Sequence, residues 1–572
     1  MNISRPAWAL FLAALGLTSA RGAGADLPWT TYEAETMHTT GSVLGPKYQP
    51  YCVETESSGE RCVRLSAGEF VGFSAAADAN ALVVRYSVPD ADQGGGLSAE
   101  LTLQVDGAVV RTLPLTSRYS HLYGKYPFTN DPRAGAHRNF YDEVRVSGLK
   151  IAKGSVVRLE KTATGAPTCV VDLVDLESVR PPRPAPVNAL SLVDFGGIGD
   201  GRADATEALR TCIAAAAKAR RPVWVPPGRY VLTGDINVPS GVTIAGAGMW
   251  YSTFVGDPAL YNRPDRRVRF RLAGDHIVLA DFAIIGRLDY RNDNEPNDGL
   301  VCQGCSNSVI ARIWVEHTKV GLWAYNGDHL RVEGCRFRDT IADGVNLCVG
   351  TIATVIENCT ARGTGDDCFA IWPSPSDQGF AEAHRPGGNV IRDCTGQLPF
   401  LANGGALYGG AGNRIEDCRF TDITAGCGIL ISSTFPTSDP ALKIDNNFSG
   451  TTVVRGCELL RCGGYDHDWA WRGALQICLD RRSISGLAIS DVTIADSLSD
   501  GFSVVAPGAA KGEGTLTNTR LENVTVTKVG LGTTSPSGGL WIRDDASGAL
   551  VAENCHFSTV HNDSKSFKIE TR

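Results

Sequence analysis

A short motif recurs along the second half of the chain, and it constrains the fold more than any other feature. An apolar residue, two polar or small residues and a cysteine recur in "VEGCRF", "IENCTA", "IRDCTG", "IEDCRF", "VRGCEL" and "AENCHF", at Cys335, Cys359, Cys394, Cys418, Cys457 and Cys555. Elsewhere an apolar residue takes the place of the cysteine, as in "IARIWV". The shortest interval between motifs runs from Ile313 to Cys335, and others are longer by irregular amounts. A short repeat with irregular longer gaps is typical of stacked coils that carry inserted loops.

A second repeat runs in a fixed phase with the first. Gly299, Gly321, Gly344 and Asp367 follow one another at nearly equal intervals, and each precedes an apolar run typical of a strand. One coil cannot bury its inner face alone, so neighbouring coils stack and align like residues in ladders. We therefore predict an all-β chain with a right-handed parallel β-helix over residues 189–572. Its ladder cysteines are expected to be buried and unpaired, because a free cysteine packs as a small hydrophobe.

The segment before the first coil predicts how the solenoid begins. "SLVDFGGIGDGRADATEALRTCIAAAAKARRPVWVPPGRYVL" passes from a strand through Gly-Asp-Gly turns to a helix that starts near Asp204 or Thr206. It resembles the opening segment of the pectate-lyase-like β-helix superfamily, in which a helix closes the N-terminal end. Upstream, the proline-rich residues 180–188 are typical of a stiff linker.

The part of the chain before this linker predicts two further units. Residues 1–25 read as a signal peptide, with Arg5 before the apolar run "AWALFLAALGL" and an Ala-Gly-Ala cleavage site. Residues 26–179 contain alternating segments such as "LVVRYSV" between turn residues, which predicts a β-sandwich. We therefore expect a secreted protein.

Charge and hydropathy exclude several kinds of partner. The net charge is −8, so the chain lacks the basic surface that nucleic acid binding requires. After the signal segment no apolar run reaches the roughly 18 residues needed to cross a bilayer. We expect no nucleic acid partner and no membrane partner, and we expect a monomer.

The ends of the sandwich suggest a metal site. "YEAETM" and "CVVDLVDLESV" resemble the first and last strands of carbohydrate-binding modules of families 6 and 35. The resemblance implies a structural calcium ion held by Glu33, Glu35 and Asp172, and oxygen ligands suit this hard cation. The alternative is three solvated carboxylates on strands.

Three aspartates in the second repeat predict a catalytic site. The interval from Asp343 to Asp366 equals that from Gly321 to Gly344, which places the two aspartates at equivalent positions on adjacent coils, and Asp367 takes the place of the glycine. Neighbouring strands lie ~4.8 Å apart, so the three carboxylates crowd together and raise one another's pKa. Glycoside hydrolysis needs one protonated and one ionised carboxyl group. A surface cluster and a calcium site formed by the same trio remain alternatives.

The motif "ADGVN", followed by "TGDDCFAIW" behind a sandwich of this kind, resembles glycoside hydrolase family 87, the α-1,3-glucanases and mycodextranases. The resemblance implies inverting hydrolysis of α-1,3-glucosidic bonds in an α-glucan of the mutan or nigeran type, without a cofactor for catalysis. By analogy with polygalacturonase-type hydrolases, Asp366 is the acid, and Asp343 with Asp367 activates water.

Two other classes of function fit the same fold. A polysaccharide lyase or epimerase acting on uronans, or a polygalacturonase-like hydrolase, would need cationic residues beside the acids, and Arg362 is the basic residue in the motif. A non-catalytic glycan-binding protein would not need carboxylates paired between coils.

Residues beside the trio are candidates for binding the sugar. Trp323 and Trp372 offer flat rings that stack on pyranose faces, and Asn346 follows Asp343 in the same strand. For the tryptophans the alternative is packing beneath an inserted loop. The insertions at 373–390, 432–450 and 463–470 are expected to form the walls of the groove.

Overall fold

The computed structural model describes residues 22–374, 386–435, 437–439, 444–466, 470–480, 482–507 and 513–572. Most of the predicted signal peptide, and parts of the three predicted groove insertions, lie outside the described residues. Among the described residues, no helix has the length and apolar character of a membrane span.

Residues 29–177 form two antiparallel sheets and a short hairpin. One sheet runs Asp142–Ile151, Ala79–Ser87, Thr168–Glu177, Cys62–Ser66 and Ser42–Leu44, with Trp29–Glu33 also paired to Thr168–Glu177. The other runs His38–Thr39, Phe70–Ser74, Val156–Gly165, Ser98–Val105 and Ala108–Thr116, and Leu122–Tyr123 pairs with His137–Arg138. Alternating apolar side chains such as Leu101, Leu103 and Val105 fill the core between the two sheets.

From residue 190 onward each coil contributes one strand in turn to three parallel sheets, called here sheets one, two and three. Sheet one contains Leu190–Ser191, Val223–Val225, Thr243–Gly246, Val278–Ala280, Val309–Ala311, Arg331–Glu333, Val355–Glu357, Val390–Arg392, Arg414–Glu416, Thr452–Arg455, Ile484–Ser490, Leu516–Glu522, Gly548–Glu553 and Phe567–Thr571. Sheet two contains Asp200–Asp204, Gly228–Leu232, Ser252–Gly256, Ala283–Ile285, Trp314–Glu316, Arg336–Arg338, Thr360–Arg362, Thr395–Gln397, Arg419–Ile423, Glu458–Cys462, Thr493–Ala495, Thr525–Thr527 and His556–Phe557.

Sheet three contains Asp235–Val238, Arg269–Leu272, Gly299–Gln303, Leu322–Tyr325, Val345–Cys348, Phe369–Trp372, Gly405–Leu407, Ile429–Ser432, Leu475–Cys478, Phe502–Val505, Leu540–Ile542 and Val560–Asn562. A small hairpin joins Ser438–Asp439 to Ile444–Asp445. The prediction of an all-β chain, with a parallel β-helix preceded by antiparallel sheets, is confirmed. The predicted domain boundaries stay predictions.

The described residues contain one α-helix, Thr206–Ala219, and five short 3-10 helices. The latter are Ala34–Thr36, Ser58–Glu60, Pro132–Ala134, Leu192–Phe195 and Pro264–Arg266. Asp204 accepts a hydrogen bond from the backbone N–H of Thr206 at 2.9 Å, so the α-helix starts where the sequence predicted. Its buried face, which includes Leu209 and Ile213, belongs to the same core as the β-helix.

The predicted cysteine ladder lies inside the β-helix. Cys335, Cys359, Cys394, Cys418 and Cys457 are all buried, unpaired and part of one continuous core. The backbone N–H of Cys335 lies 3.4 Å from the sulfur of Cys359 on the next coil. The register read from these five cysteines is therefore confirmed, whereas Cys555, near the end of the solenoid, is only partly buried. Separately, Cys302 and Cys305 form a local disulfide.

The sandwich packs against the outer face of sheet two through buried ion pairs. Arg336 makes two contacts of 2.8 Å with Glu177, and Arg362 contacts both Glu143 at 2.5 Å and Asp175 at 2.8 Å. Removal of one partner from such a buried pair is strongly destabilising, because it leaves an uncompensated charge. The β-helix and the sandwich thus share one interface.

Candidate active site

The three aspartates lie in the turns that lead from sheet two into sheet three. Asp343 precedes the strand Val345–Cys348, and Asp366 and Asp367 precede Phe369–Trp372 on the next coil. The sequence predicted that Asp343 aligns with Asp366, and this is wrong by one position. Val345 pairs with Phe369, which places Asp343 beside Asp367, and the backbone N–H of Asp367 donates to Asp343 Oδ1 at 3.1 Å.

The shift has a local cause in the preceding turn. Residues 326–330 connect sheet three to sheet one on one coil, whereas the longer stretch 349–354 makes the same connection on the next. The extra residue changes the length of the coil without disturbing the strands. A constant repeat therefore cannot give the alignment of single residues.

Asp367 is the most completely hydrogen-bonded of the three. Its Oδ1 accepts from the backbone N–H of Asn403 at 3.1 Å and from the Asn403 side chain at 2.7 Å. Its Oδ2 accepts from the Tyr408 hydroxyl at 2.9 Å. Burial nevertheless raises the pKa of Asp367 to about 6, against the effect of these donors.

Asp343 lies between its two neighbours and is 6% exposed. It accepts hydrogen bonds from the Asp367 N–H and, at 3.2 Å, from the side chain of Asn346. Burial first, and then the charges of Asp366 and Asp367, raise the pKa of Asp343 well above its ordinary value. The proton that such a crowded trio retains is therefore best accommodated on Asp343.

Asp366 differs from the other two because it has a cationic partner. Both Asp366 oxygens accept from the Arg291 guanidinium at 2.7 Å, and the Asp366 side chain is 25% exposed. Arg291 also contacts Asp293 at 3.1 Å, and it lies 4.9 Å from the ring of Tyr126. Burial opposes its charge, yet Asp366 and Asp293 hold the pKa of Arg291 above its usual value. A bidentate pair of this kind is a strong, directional contact.

Sequence reasoning missed four neighbours of the trio, which are Asn403, Tyr408, Arg291 and Tyr126. Asn403 precedes a strand of sheet three in the same position as Asp367, and the glycines of "NGGALY" could have revealed it. Arg291 lies in the long connection 286–298 from sheet two to sheet three, and Tyr126 comes from the sandwich, so no local pattern connects them to the trio. The basic residue that the sequence placed in the motif, Arg362, faces the sandwich instead.

The predicted sugar-binding residues lie together on the outer face of sheet three. Trp323 pairs with Asn346 on the next strand, and Trp372 lies one strand further on. The two tryptophan rings are 5.9 Å apart, and Trp372 is 5.5 Å from Phe435. Phe435 is 5.0 Å from Tyr408, the residue that donates to Asp367. An aromatic surface therefore leads up to the carboxyl cluster.

Each of the two tryptophans has a hydrogen-bond donor that the described residues leave unused. The indole N–H groups of Trp323 and Trp372 are buried and have no hydrogen-bond acceptor within the described part of the chain. Trp323 is 8% exposed. Buried N–H donors usually have a partner, so both groups are available to hydroxyl oxygens of a sugar or to the neighbouring insertion.

Of the residues predicted to bind calcium, Asp172 is buried in the sandwich, and Glu33 and Glu35 are half-buried. Asp172 is paired with Arg85 at 2.5 Å and accepts from the N–H of Ser58, so it is not a solvated carboxylate. One oxygen each of Glu33 and Glu35 is buried without a donor among the described residues. Burial raises the pKa of Glu33 to about 8.

The calcium ligands do not converge as a preformed site. Within the described ranges, the group whose ligand atoms lie close enough together to hold a metal ion is a different one. The unpartnered oxygens of Glu33 and Glu35 suit a cation, whereas Asp172 is already committed to Arg85. Calcium binding at Glu33, Glu35 and Asp172 stays a prediction.

A carboxyl cluster beside an aromatic surface lies on the outside of the solenoid. These features define the class of protein as the carbohydrate-active parallel β-helices. Family models for two α-1,3-glucanase catalytic domains match the chain, D1 over residues 26–179 and D2 over residues 204–533. The chain belongs to the α-1,3-glucanases of glycoside hydrolase family 87.

Solved structures agree with this assignment. The catalytic unit of a thermostable family 87 α-1,3-glucanase from Streptomyces thermodiastaticus strain HF3-3 is 30% identical, with a TM-score of 0.81 over 96% of each chain. The Agl-KA catalytic domain is 21% identical, with a TM-score of 0.85 over 98% of this chain and 100% of its own. A family 87 α-1,3-glucanase solved with nigerose is 24% identical, with a TM-score of 0.77 over 96% of this chain and 99% of its own.

A curated relative matches only a short stretch. The pre-neck appendage protein of Bacillus phage B103 is 29% identical over 99 residues, which is 17% of this chain and 11% of the phage protein. The chain thus spans about a tenth of the length of this relative.

Proposed function

We propose that the protein is an exported, monomeric hydrolase that cleaves α-1,3-glucosidic bonds of an α-glucan by inversion, with Asp343, Asp366 and Asp367 as the catalytic trio. The observation that carries the proposal is the trio itself: the backbone N–H of Asp367 donates to Asp343, Asp366 precedes Asp367 in the same turn, and the Tyr408 hydroxyl joins Asp367 to the aromatic surface. Burial raises the pKa of Asp343 and of Asp367, and an acid and a base are what glycoside hydrolysis requires.

The relatives support both the substrate and the trio. Family 87 structures hold nigerose and tetrasaccharides. In three of them an aspartate is replaced by alanine, and two of the replaced positions are adjacent while the third precedes them. Asp343, Asp366 and Asp367 are spaced in the same way along this chain.

The structure without sugar suggests where the shared proton resides. Arg291 stabilises the charge of Asp366, whereas Asp343 has no cation in direct contact among the described residues. This is the reverse of the polygalacturonase-type analogy, in which Asp366 is the acid. Asp343 is therefore a second candidate for the catalytic acid.

The roles can be assigned with substrates that differ in leaving group. An activated glucoside with an acidic leaving group does not need a catalytic acid. Loss of the acid should therefore be largely rescued on this substrate, whereas loss of the base should not. Rescue of Asp366→Asn alone would assign the acid to Asp366, and rescue of Asp343→Asn alone would assign it to Asp343.

The surroundings of the trio favour a neutral polymer. A uronan carboxylate would need a free cation nearby, but Arg291 is already committed to Asp366 and Asp293. The test is to incubate the protein with all-α-1,3 glucan, with the alternating α-1,3/α-1,4 polymer and with polygalacturonate, and to size the products. Cleavage of polygalacturonate alone, or binding to glucan without release of reducing ends, would refute the proposal.

A further inference from the structure

A second cluster of chemically active side chains lies at the interface between the sandwich and the β-helix, away from the aromatic surface. Asp142 opens a long strand of the sandwich, and His317 and Asp339 follow neighbouring strands of sheet two. The His317 Nε2 atom lies 2.7 Å from Asp142 Oδ1. One ligand atom from each of the three residues lies within 4.8 Å of the other two.

Two of these residues, His317 and Asp339, occupy equivalent turns on adjacent coils. His317 and Asp339 both adopt left-handed conformations, with φ of 53° and 46°, which branched residues disfavour. The position beside Asp339 on the next coil is Gly363. A Cβ atom there would lie 2.4 Å from Asp339 Oδ1, so the glycine leaves room for the carboxylate.

The Asp339 carboxylate accepts no hydrogen bond from the described part of the chain, although it is only 7% exposed. His317 and Arg85 lie near enough to attract its charge, but neither donates to it. Two nearby cations are committed elsewhere, Arg85 to Asp172 and Arg362 to Glu143 and Asp175. Buried carboxylates are normally paired or bind a metal ion, so the unpartnered oxygen suggests a missing cation.

The geometry supports the same conclusion. The three ligand atoms approach one another closely, Asp339 is buried, and Gly363 leaves room beside its carboxylate. We propose that Asp142, His317 and Asp339 bind one divalent transition-metal ion of the zinc class, which ties the sandwich to the β-helix.

The donor set identifies the class of ion. One imidazole nitrogen with two carboxylate oxygens suits Zn²⁺ and its neighbours, whereas Ca²⁺ and Mg²⁺ prefer oxygen alone. Tetrahedral Zn²⁺ with bonds of about 2.0–2.1 Å holds its ligand atoms roughly 3.3 Å apart. The longest of the present separations, up to 4.8 Å, would therefore have to close by about 1.5 Å, and the 2.7 Å between His317 Nε2 and Asp142 Oδ1 would have to open by about 0.6 Å.

The experiment uses the untagged full chain after removal of metal ions with a chelator. We expect titration calorimetry with Zn²⁺ to show one tight site per chain and Zn²⁺ to raise the melting temperature. Co²⁺ should give the intense visible absorption of a tetrahedral site. Asp339→Asn keeps the shape of the side chain, and we expect it to lower the Zn²⁺ affinity at least tenfold.

A matched control comes from the same column of turns. Asp496 also follows a strand of sheet two in a left-handed conformation, but it is paired with Lys528 at 3.4 Å. Asp496→Asn should bind Zn²⁺ like the wild type. If the wild type binds no Zn²⁺, or if Asp339→Asn binds it equally well, the proposal is wrong. His121 and His137 of the sandwich also bring two ring nitrogens into contact, His121 Nδ1 and His137 Nε2. Zn²⁺ binding that survives Asp339→Asn but is lost when His137 is replaced would place the ion at that pair and equally overturn the proposal.

Discussion

Replacement of Asp367 by Asn should slow catalysis by about 10²- to 10⁴-fold and yet make the protein more stable at neutral pH. The carboxyl is buried, and burial raises its pKa from the ordinary 3.8 to about 6. Asn has the same shape and no charge. Its oxygen can still accept from Asn403, and its NH₂ group can donate to the Tyr408 hydroxyl.

The size of the effect follows from linkage between protonation and folding. The folded state holds the Asp367 proton more tightly than the unfolded state, so the free energy of unfolding of the wild type falls as pH rises from 3.8 to about 6. A shift of about two units corresponds to about 3 kcal/mol. The advantage of the Asn variant should therefore be absent below pH 4, grow between pH 4 and 6, and stay constant above.

The assay is a series of thermal melts from pH 3.5 to 8 on the wild type and Asp367→Asn. The neighbouring Asp366→Asn is the matched control, because it loses a bidentate contact with Arg291 and should be less stable than the wild type at pH 7. If Asp367→Asn is destabilised equally at pH 4 and pH 7, then burial of the ionised Asp367 carboxyl does not destabilise the folded wild type, and the prediction is wrong.

Three further predictions address other parts of the molecule. Replacement of Arg291 by Met should lower kcat/KM of the folded protein, because Asp366 loses the bidentate contact that holds its carboxylate in place; Tyr126→Phe, which keeps the pair, should retain kcat/KM near the wild-type value, and an unchanged kcat/KM in Arg291→Met would show that the pair does not act on catalysis. If Glu33, Glu35 and Asp172 bind calcium, then a calcium-selective chelator should lower the melting temperature, since a ligand bound only to the folded state stabilises it; identical melts would remove the site. Cys335, Cys359, Cys394, Cys418 and Cys457 should react with thiol reagents only after unfolding, and Cys359→Asp should disrupt its coil because a charge would be buried without a partner; rapid native labelling would contradict the ladder.

The sequence predicted the solenoid because its repeat reflects how neighbouring coils pack on one another. Every coil must present an apolar side chain to the same ladder, so Cys335 and Cys359 recur in one context and fix the strand positions. The same logic located the three aspartates, since side chains at equivalent turns of adjacent coils lie side by side. Only the pairing within the trio was wrong, because one longer turn shifts the register by a single position.

Contacts that depend on insertions or on the other domain had no signal in the repeat. Arg291 reaches Asp366 from a loop 75 residues earlier in the chain, and its position depends on how that loop packs. Tyr126 and the partners of Arg362 come from the sandwich, whose docking on sheet two is not encoded in either local pattern. These contacts depend on packing between distant parts of the chain, and they lie around both the candidate active site and the interface.

The most direct test of the central claim is the first product of glucan cleavage. Wild-type protein, Asp343→Asn, Asp366→Asn and Asp367→Asn are each mixed with soluble α-1,3-glucan oligosaccharides, and proton NMR follows the new reducing ends before mutarotation. Inversion at an α-linkage should release the β-anomer first, and each Asn variant, although folded, should be slower by about 10²- to 10⁴-fold. Initial release of the α-anomer, or near-normal turnover by a folded Asp366→Asn protein, would contradict the account.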